Sequence, residues 1–182
     1  MIVEFGGHRL QLVQGDITQQ QVEVIVNAAN TDLAGGGGVD GAIHRAAGPA
    51  VMAETGQRYP EGCPTGDCVE TSAGQLSARF LRHAVGPIWK GGHRGDPELL
   101  RSAYRNCLNR AEQLECRSMA FPALSTGAYG YPIDLAAETT LGEIRQFLSE
   151  VRPSPAWDIR LVLFDRGAYA AFARVLETMV EM

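Results

Sequence analysis

A chain of 182 residues can bury a sizeable core, and a hydrophobic share of 45% beside a charged share of 20% fits a globular protein. Sixteen Lys and Arg against 21 Asp and Glu leave a net charge of −5, with no long basic run, so sequence-independent nucleic-acid binding lacks its electrostatic footprint. No apolar run approaches the ~20 residues that span a bilayer, and the first residues lack an apolar signal core, so a cytoplasmic protein away from membranes is expected.

In chain order, "HRLQLVQ" (8–14) alternates as a strand does, and "VEVIVNA" (22–28) is a β-branched run suited to a buried one. After the glycines of "AGGGGVDG", a short helix is predicted from near Asp40 to the Gly48-Pro49 break, then a second helical segment to about Tyr59. "DCVETSAG" (67–74) and "RFLRHAVGP" (79–87) read as strands. Asp96-Pro97 offers an N-cap and first-turn pair for an amphipathic helix to about Glu115. A strand "SMAFPAL" (118–124), a helix over about 134–150, a strand "DIRLVLF" (158–164) and a helix over about 168–180 complete the chain. Strands interleaved with helices predict one α/β domain over residues 1–182, its sheet covered on both faces.

The polar interruptions fall after strands: Gly15-Asp16, Asn27 to Asp40, Ser125 to Tyr131, and Asp165. Ligands of open α/β sheets bind beyond the carboxyl ends of strands, so these loops are expected at one edge. The glycine run formally contains GxGxxG at Gly36, Gly38 and Gly41. Seven residues separate it from its strand, and no acid follows at ribose-binding distance, which argues against a dinucleotide site. A surface loop is the bland alternative. A glycine run pinned between a buried strand and a helix start is better explained by amides offered to phosphate oxygens. "STGAYGYP" (125–132) is a second loop of this kind, and two together suggest a diphosphate held by main-chain donors.

"ALSTG" (123–127) nearly matches a nucleophile elbow, but all four histidines precede Ser125, against the order that architecture uses. Asp16 is either a cap for the turn after it or an acceptor for an exocyclic amine such as adenine N6. Phe164 is either core or a stacking face for that base. Tyr129 is expected against a sugar and Tyr131 in a structural role. A carboxylate about 4 Å from a phosphate costs roughly 1–4 kcal/mol, so Asp40 is either a helix cap or a group facing the reacting end of the ligand. Asn30 would orient the same sugar, and Asn27 would tie the strand end to backbone. The four cysteines, Cys63, Cys68, Cys107 and Cys116, lack zinc-site spacing, so no metal or cofactor is expected.

The segments "GDIT", "IVNAAN", "GGGGVDGAIHRAAGP", "CPTGD", "HAVGPIW" and "FPALSTGAYGYP" together resemble the macrodomain family, specifically its MacroD-type ADP-ribosyl-hydrolysing branch, over roughly residues 3–176. The resemblance implies a three-layer α/β/α fold around a mixed, roughly six-stranded sheet, with ADP-ribose as ligand. It implies that Asp16 binds the adenine amine beside Ile17, that Gly37, Gly38 and Val39 line the diphosphate and distal ribose, and that Phe164 stacks on adenine. Ser125, Thr126, Gly127, Ala128 and Tyr129 would form the opposing phosphate loop. Asn30 and Asp40 fall on the positions tied to hydrolysis. Ala128 stands where Val is common in the family, and "WKGGHRGD" (89–96) matches least well. The implied activity is release of mono-ADP-ribose from acidic residues of modified proteins, together with deacetylation of O-acetyl-ADP-ribose, by a metal-independent enzyme; nothing in the sequence demands more than a monomer. The alternative is a non-catalytic module that only binds ADP-ribose.

Overall fold

The computed structural model describes residues 1–181. Its strands are β1 (Ile2–Phe5), β2 (His8–Gln14), β3 (Val24–Ala28), β4 (Cys68–Ser72), β5 (Phe80–Ala84), β6 (Ser118–Phe121) and β7 (Asp158–Leu163). The helices are α1 (Gly38–Ala47), α2 (Pro49–Arg58), α3 (Asp96–Gln113), α4 (Ile133–Glu150) and α5 (Arg166–Glu181), with a single 3-10 turn at Ile17–Gln19.

All seven strands form one sheet in the order β1-β2-β7-β6-β3-β5-β4. The five inner strands run parallel, while β1 and β4 pair antiparallel at the two edges. The mixed sheet agrees with the expected class and carries one strand more than the expected six. The extra strand is β1, joined to β2 across Gly6-Gly7, both at positive φ (58° and 89°). A Gly-Gly pair between alternating residues is a hairpin signal, but a four-residue strand is too short for alternation to stand out.

The sheet sorts its side chains by the two-residue period of a strand. In β3, Val24 and Val26 point into a core shared with α3, α4 and α5, whereas Ile25 points to the other face, with Ile43 and Val51 of α1 and α2. In β7, Ile159, Leu161 and Leu163 join the first core and Val162 the second. Both faces are thereby covered, which is why the central strands read as nearly unbroken apolar runs.

Two helix starts differ from expectation. Helix α1 begins at Gly38, so Asp40 lies within its first turn, not at the cap. Helix α3 is preceded by Gly95 at φ 75°, and Asp96 caps nothing: its Oδ2 accepts from the amides of Lys90 (2.8 Å) and Gly92 (3.0 Å). Among the described residues no helix is long and apolar enough to cross a membrane, and no cluster of three or more His, Cys, Asp or Glu is arranged around a metal-sized space.

Candidate active site

Because the inner strands are parallel, the loops after β3, β5, β6 and β7 emerge along one edge of the sheet. Between them lies a cleft of about 560 Å³. The glycine run and Asn30 form one wall, residues 122–129 form the opposite wall, and Phe164 and Asp165 form an end, with Gly86 on the floor. Of the residues expected here, Asn30, Gly37, Gly38, Val39, Asp40, Ser125, Thr126, Gly127, Ala128, Tyr129 and Phe164 all line the cleft.

Asp16 and Ile17 do not line it. Asp16 is exposed, and its Oδ1 accepts from the Thr18 amide (2.8 Å) and hydroxyl (2.7 Å), capping the 3-10 turn. Ile17 is a core residue in the cluster containing Val162, which itself lines the cleft. The turn is nevertheless joined to the Phe164 end, since Gly15 N donates to Leu163 O at 3.0 Å. The second carboxylate oxygen of Asp16 has no partner in the turn, so capping and accepting a ligand amine are compatible.

The glycine wall is shaped by backbone freedom, since a Cβ at Gly37 or Gly38 would meet nothing within 4 Å. Gly38 sits at φ 57°, a value that L side chains rarely adopt. The opposite wall contains Ser125 at φ 68°, an uncommon conformation for a residue with a side chain. Its hydroxyl is buried without a hydrogen-bond partner, and Gly86 makes room for it: a Cβ there would come within 2.2 Å of Ser125 Oγ. None of the four histidines hydrogen-bonds to Ser125 among the described residues, so the nucleophile-elbow alternative has no base. Tyr104 fixes the base of this wall, its hydroxyl donating to Pro122 O (2.9 Å) and accepting from Leu124 N (3.1 Å). Tyr131 is buried, its ring 4.6 Å from that of Trp89, whereas Tyr129 remains half-buried at the cleft.

Asn30 closes its own loop, Oδ1 accepting from Ala34 N (3.1 Å) and Nδ2 donating to Gly35 O (2.9 Å). One N–H and one lone pair of the amide remain available to a ligand.

Asp40 is the buried charge of the site, with 7% of its surface exposed. Its Oδ1 accepts from Asn27 Nδ2 at 2.8 Å and lies 3.3 Å from His44 Nε2, one turn along α1. Oδ2 faces the glycine run, since a Cβ on Gly36 would sit 3.4 Å from it. Asn27 therefore does not bond backbone, as its position at a strand end suggested, but bridges Asp40 and His83 Nδ1 (3.2 Å). With Nδ1 accepting, His83 carries its proton on Nε2 and donates to Thr71 Oγ1 (2.9 Å), which in turn donates to Ser72 O. Burial, with the nearby His44 and Arg82, pushes the His83 pKa down to about 3, so the ring is neutral. This line of side chains behind Asp40 (Asn27, His44, His83, Thr71) was not legible in the sequence. His44, at i+4 from Asp40, carried the one available signal.

Known proteins share both the sequence and the fold of this chain. The Macro domain family model matches residues 26–140. The chain belongs to the macrodomain family. A protein of Salmonella typhimurium named O-acetyl-ADP-ribose deacetylase is 51% identical over 170 residues, covering 92% of this chain and 94% of its own. The structure of the Oceanobacillus iheyensis macrodomain with ADP superposes with a TM-score of 0.93 at 42% identity, covering all of this chain and 96% of that one. The Trypanosoma brucei macrodomain in complex with ADP-ribose gives 0.84 at 40% identity, over 92% of this chain and 68% of that one.

Proposed function

We propose that this macrodomain binds ADP-ribose in the cleft and hydrolyses esters on its distal ribose: O-acetyl-ADP-ribose, and mono-ADP-ribose attached to acidic side chains of proteins. The name of the Salmonella relative and the nucleotides bound by the two structural relatives support the ligand and the ester class. The observation that carries hydrolysis is Asp40, a buried carboxylate held by Asn27 at the rim of an amide-lined loop.

Adenine stacks on Phe164 and offers its amine to Asp16. The diphosphate lies between residues 36–39 and 125–129, where main-chain amides neutralise it without a cation. The distal ribose then reaches Asn30, Asp40 and Tyr129. Asp40 positions a water and accepts its proton. Water adds at the acyl carbon, the ester C–O bond breaks and the sugar oxygen takes the proton. For an ester on the anomeric oxygen, water can instead add at the anomeric carbon through an oxocarbenium-like state as the carboxylate leaves, and either route yields a carboxylate and ADP-ribose. An α-phosphate oxygen of the substrate is the alternative proton acceptor. No metal enters the proposal, because positioning and preorganised hydrogen bonds supply the activation.

The test is Asp40→Ala. Ester release should be abolished while ADP-ribose affinity stays within about tenfold, ~1.4 kcal/mol. Turnover at the parent rate would remove Asp40 from the chemistry. Tight ADP-ribose binding by the parent protein with no product from either ester would establish the non-catalytic reading instead.

A further inference from the structure

The segment from Ile88 to Gly95 has no part in the chemistry above, yet it is built onto the cleft. It leaves β5 through Gly86 on the cleft floor, and Trp89 N donates to Tyr129 O at 2.9 Å. Gly92 (φ 80°) folds back over the Trp89 ring so closely that a Cβ there would come within 3.0 Å of it. Asp96, almost fully buried, holds the amides of Lys90 and Gly92. The backbone of the loop is thus tied down by main-chain bonds and by one indole.

Its side chains are the reverse. Lys90, His93 and Arg94 are exposed, and none of the three belongs to any ion pair among the described residues. This occurs in a chain with 21 acidic and 16 basic residues, where acidic partners are plentiful. Ile88, 54% exposed, stands beside them. A loop held by its backbone, with Lys90 and Arg94 exposed and free of ion pairs among the described residues while Asp96 is buried beneath them on main-chain amides, is presented for a partner outside the chain.

Sheet order says which part of a ligand meets it. Along the cleft edge the strands run β7, β6, β3, β5. The loop after β5 therefore emerges three strand spacings, roughly 14 Å, from Phe164 at the end of β7. A ligand with its base at Phe164 and its distal ribose at Asp40 and Tyr129 sends its acyl group toward this loop.

We infer that the Ile88–Arg94 loop is the docking surface for the protein side of the substrate, and that it selects acidic peptide segments carrying ADP-ribose on one of their carboxyl groups. The inference rests on the ADP-ribose reading of the cleft. The esterified carboxyl has lost its own charge, so recognition falls to acidic residues flanking it. O-acetyl-ADP-ribose, whose acyl group ends at a methyl, does not reach the loop.

The test compares the parent with Lys90→Glu/Arg94→Glu by titration calorimetry. The probes are free ADP-ribose and two peptides bearing ADP-ribose through a hydrolysis-resistant amide link, one flanked by Asp and Glu, the other by Asn and Gln. At low ionic strength the parent should bind the acidic peptide about three- to tenfold more tightly than the neutral one, as expected for a few solvent-exposed charge pairs. That margin should vanish at about 0.5 M salt. The variant should lose the margin and keep its affinity for free ADP-ribose. Equal parent affinity for the two peptides, or a variant weakened equally toward free ADP-ribose, overturns the docking surface and leaves the cleft reading standing. A parent that fails to bind free ADP-ribose overturns the cleft reading, and this inference with it.

Discussion

At the scale of single residues, the informative contrast lies between two aspartates, one directly after Gly15 and one two residues beyond the glycine run. Asp16 is exposed and Asp40 buried, and both are engaged by neighbours: Thr18 for the first, Asn27 and His44 for the second. Local sequence allowed a capping role for each. It holds for Asp16, whose side chain bonds the amide two residues on. It fails for Asp40, because the helix starts two residues earlier at Gly38 and the carboxylate turns inward. Asp16 at the Phe164 end predicts selectivity for the base. Asp16→Ala should weaken ADP-ribose and leave ribose-5-phosphate almost unchanged, measured by competition for the cleft; equal losses for both ligands would place Asp16 outside the adenine pocket. A modest loss of stability should accompany the change, about 1 kcal/mol, since the cap goes with it.

At the scale of elements, the wall after β6 is tied to α3 through the phenol of Tyr104. Strand β6 ends at Phe121, and the chain then enters a loop in which Ser125 takes a positive φ and Gly86 leaves it space. Tyr104, on α3 and fully buried, satisfies the carbonyl of Pro122 and the amide of Leu124, fixing the loop's departure from the sheet. Burial pushes the phenol pKa up to about 12, so it stays a neutral donor throughout the useful pH range. Tyr104→Phe leaves the Pro122 carbonyl and the Leu124 amide only their mutual bond of 3.1 Å and should cost about 1–3 kcal/mol in urea unfolding. ADP-ribose binding should weaken in the same variant, because a loosened Ser125–Tyr129 wall must be ordered on binding. An unchanged midpoint and unchanged affinity would show that the loop is held by other contacts.

At the scale of the whole molecule, stability carries a pH dependence with a defined sign. The folded chain keeps His83 neutral down to about pH 3, whereas an unfolded histidine takes a proton near 6.5. Between those values the unfolded state binds the extra proton, so native stability rises with pH and is lost as pH falls through the window, by at most about 1.4 kcal/mol per pH unit. Glu23, Glu54 and Glu70, held below their ordinary values by hydrogen bonds and arginines that outweigh their burial, add to the loss further into acid. The window from about pH 6.5 to 5 belongs chiefly to the histidine. A His83→Gln variant should show a flatter slope there than the parent in denaturant titrations, and an identical slope would mean that another group titrates.

Much of this molecule is written in its local sequence. The β-branched run at 22–28, the Gly48-Pro49 break and the alternation of 8–14 place elements within a few residues, since period and backbone restriction act over short distances. Two glycine-bearing loops follow from the same local chemistry, whereas their facing one another follows from β3 and β6 being neighbours in the sheet. What tertiary structure alone decided is long-range: the pairing of β1 at the sheet edge, the burial of Asp40 against Asn27 and His83, and the seating of the Trp89 loop on Tyr129. Asn27 and His83 stand 56 positions apart and meet only because β3 and β5 are neighbours in parallel register. A side chain's partners across a sheet are set by strand order, and strand order is a property of the packed whole, not of any segment within it.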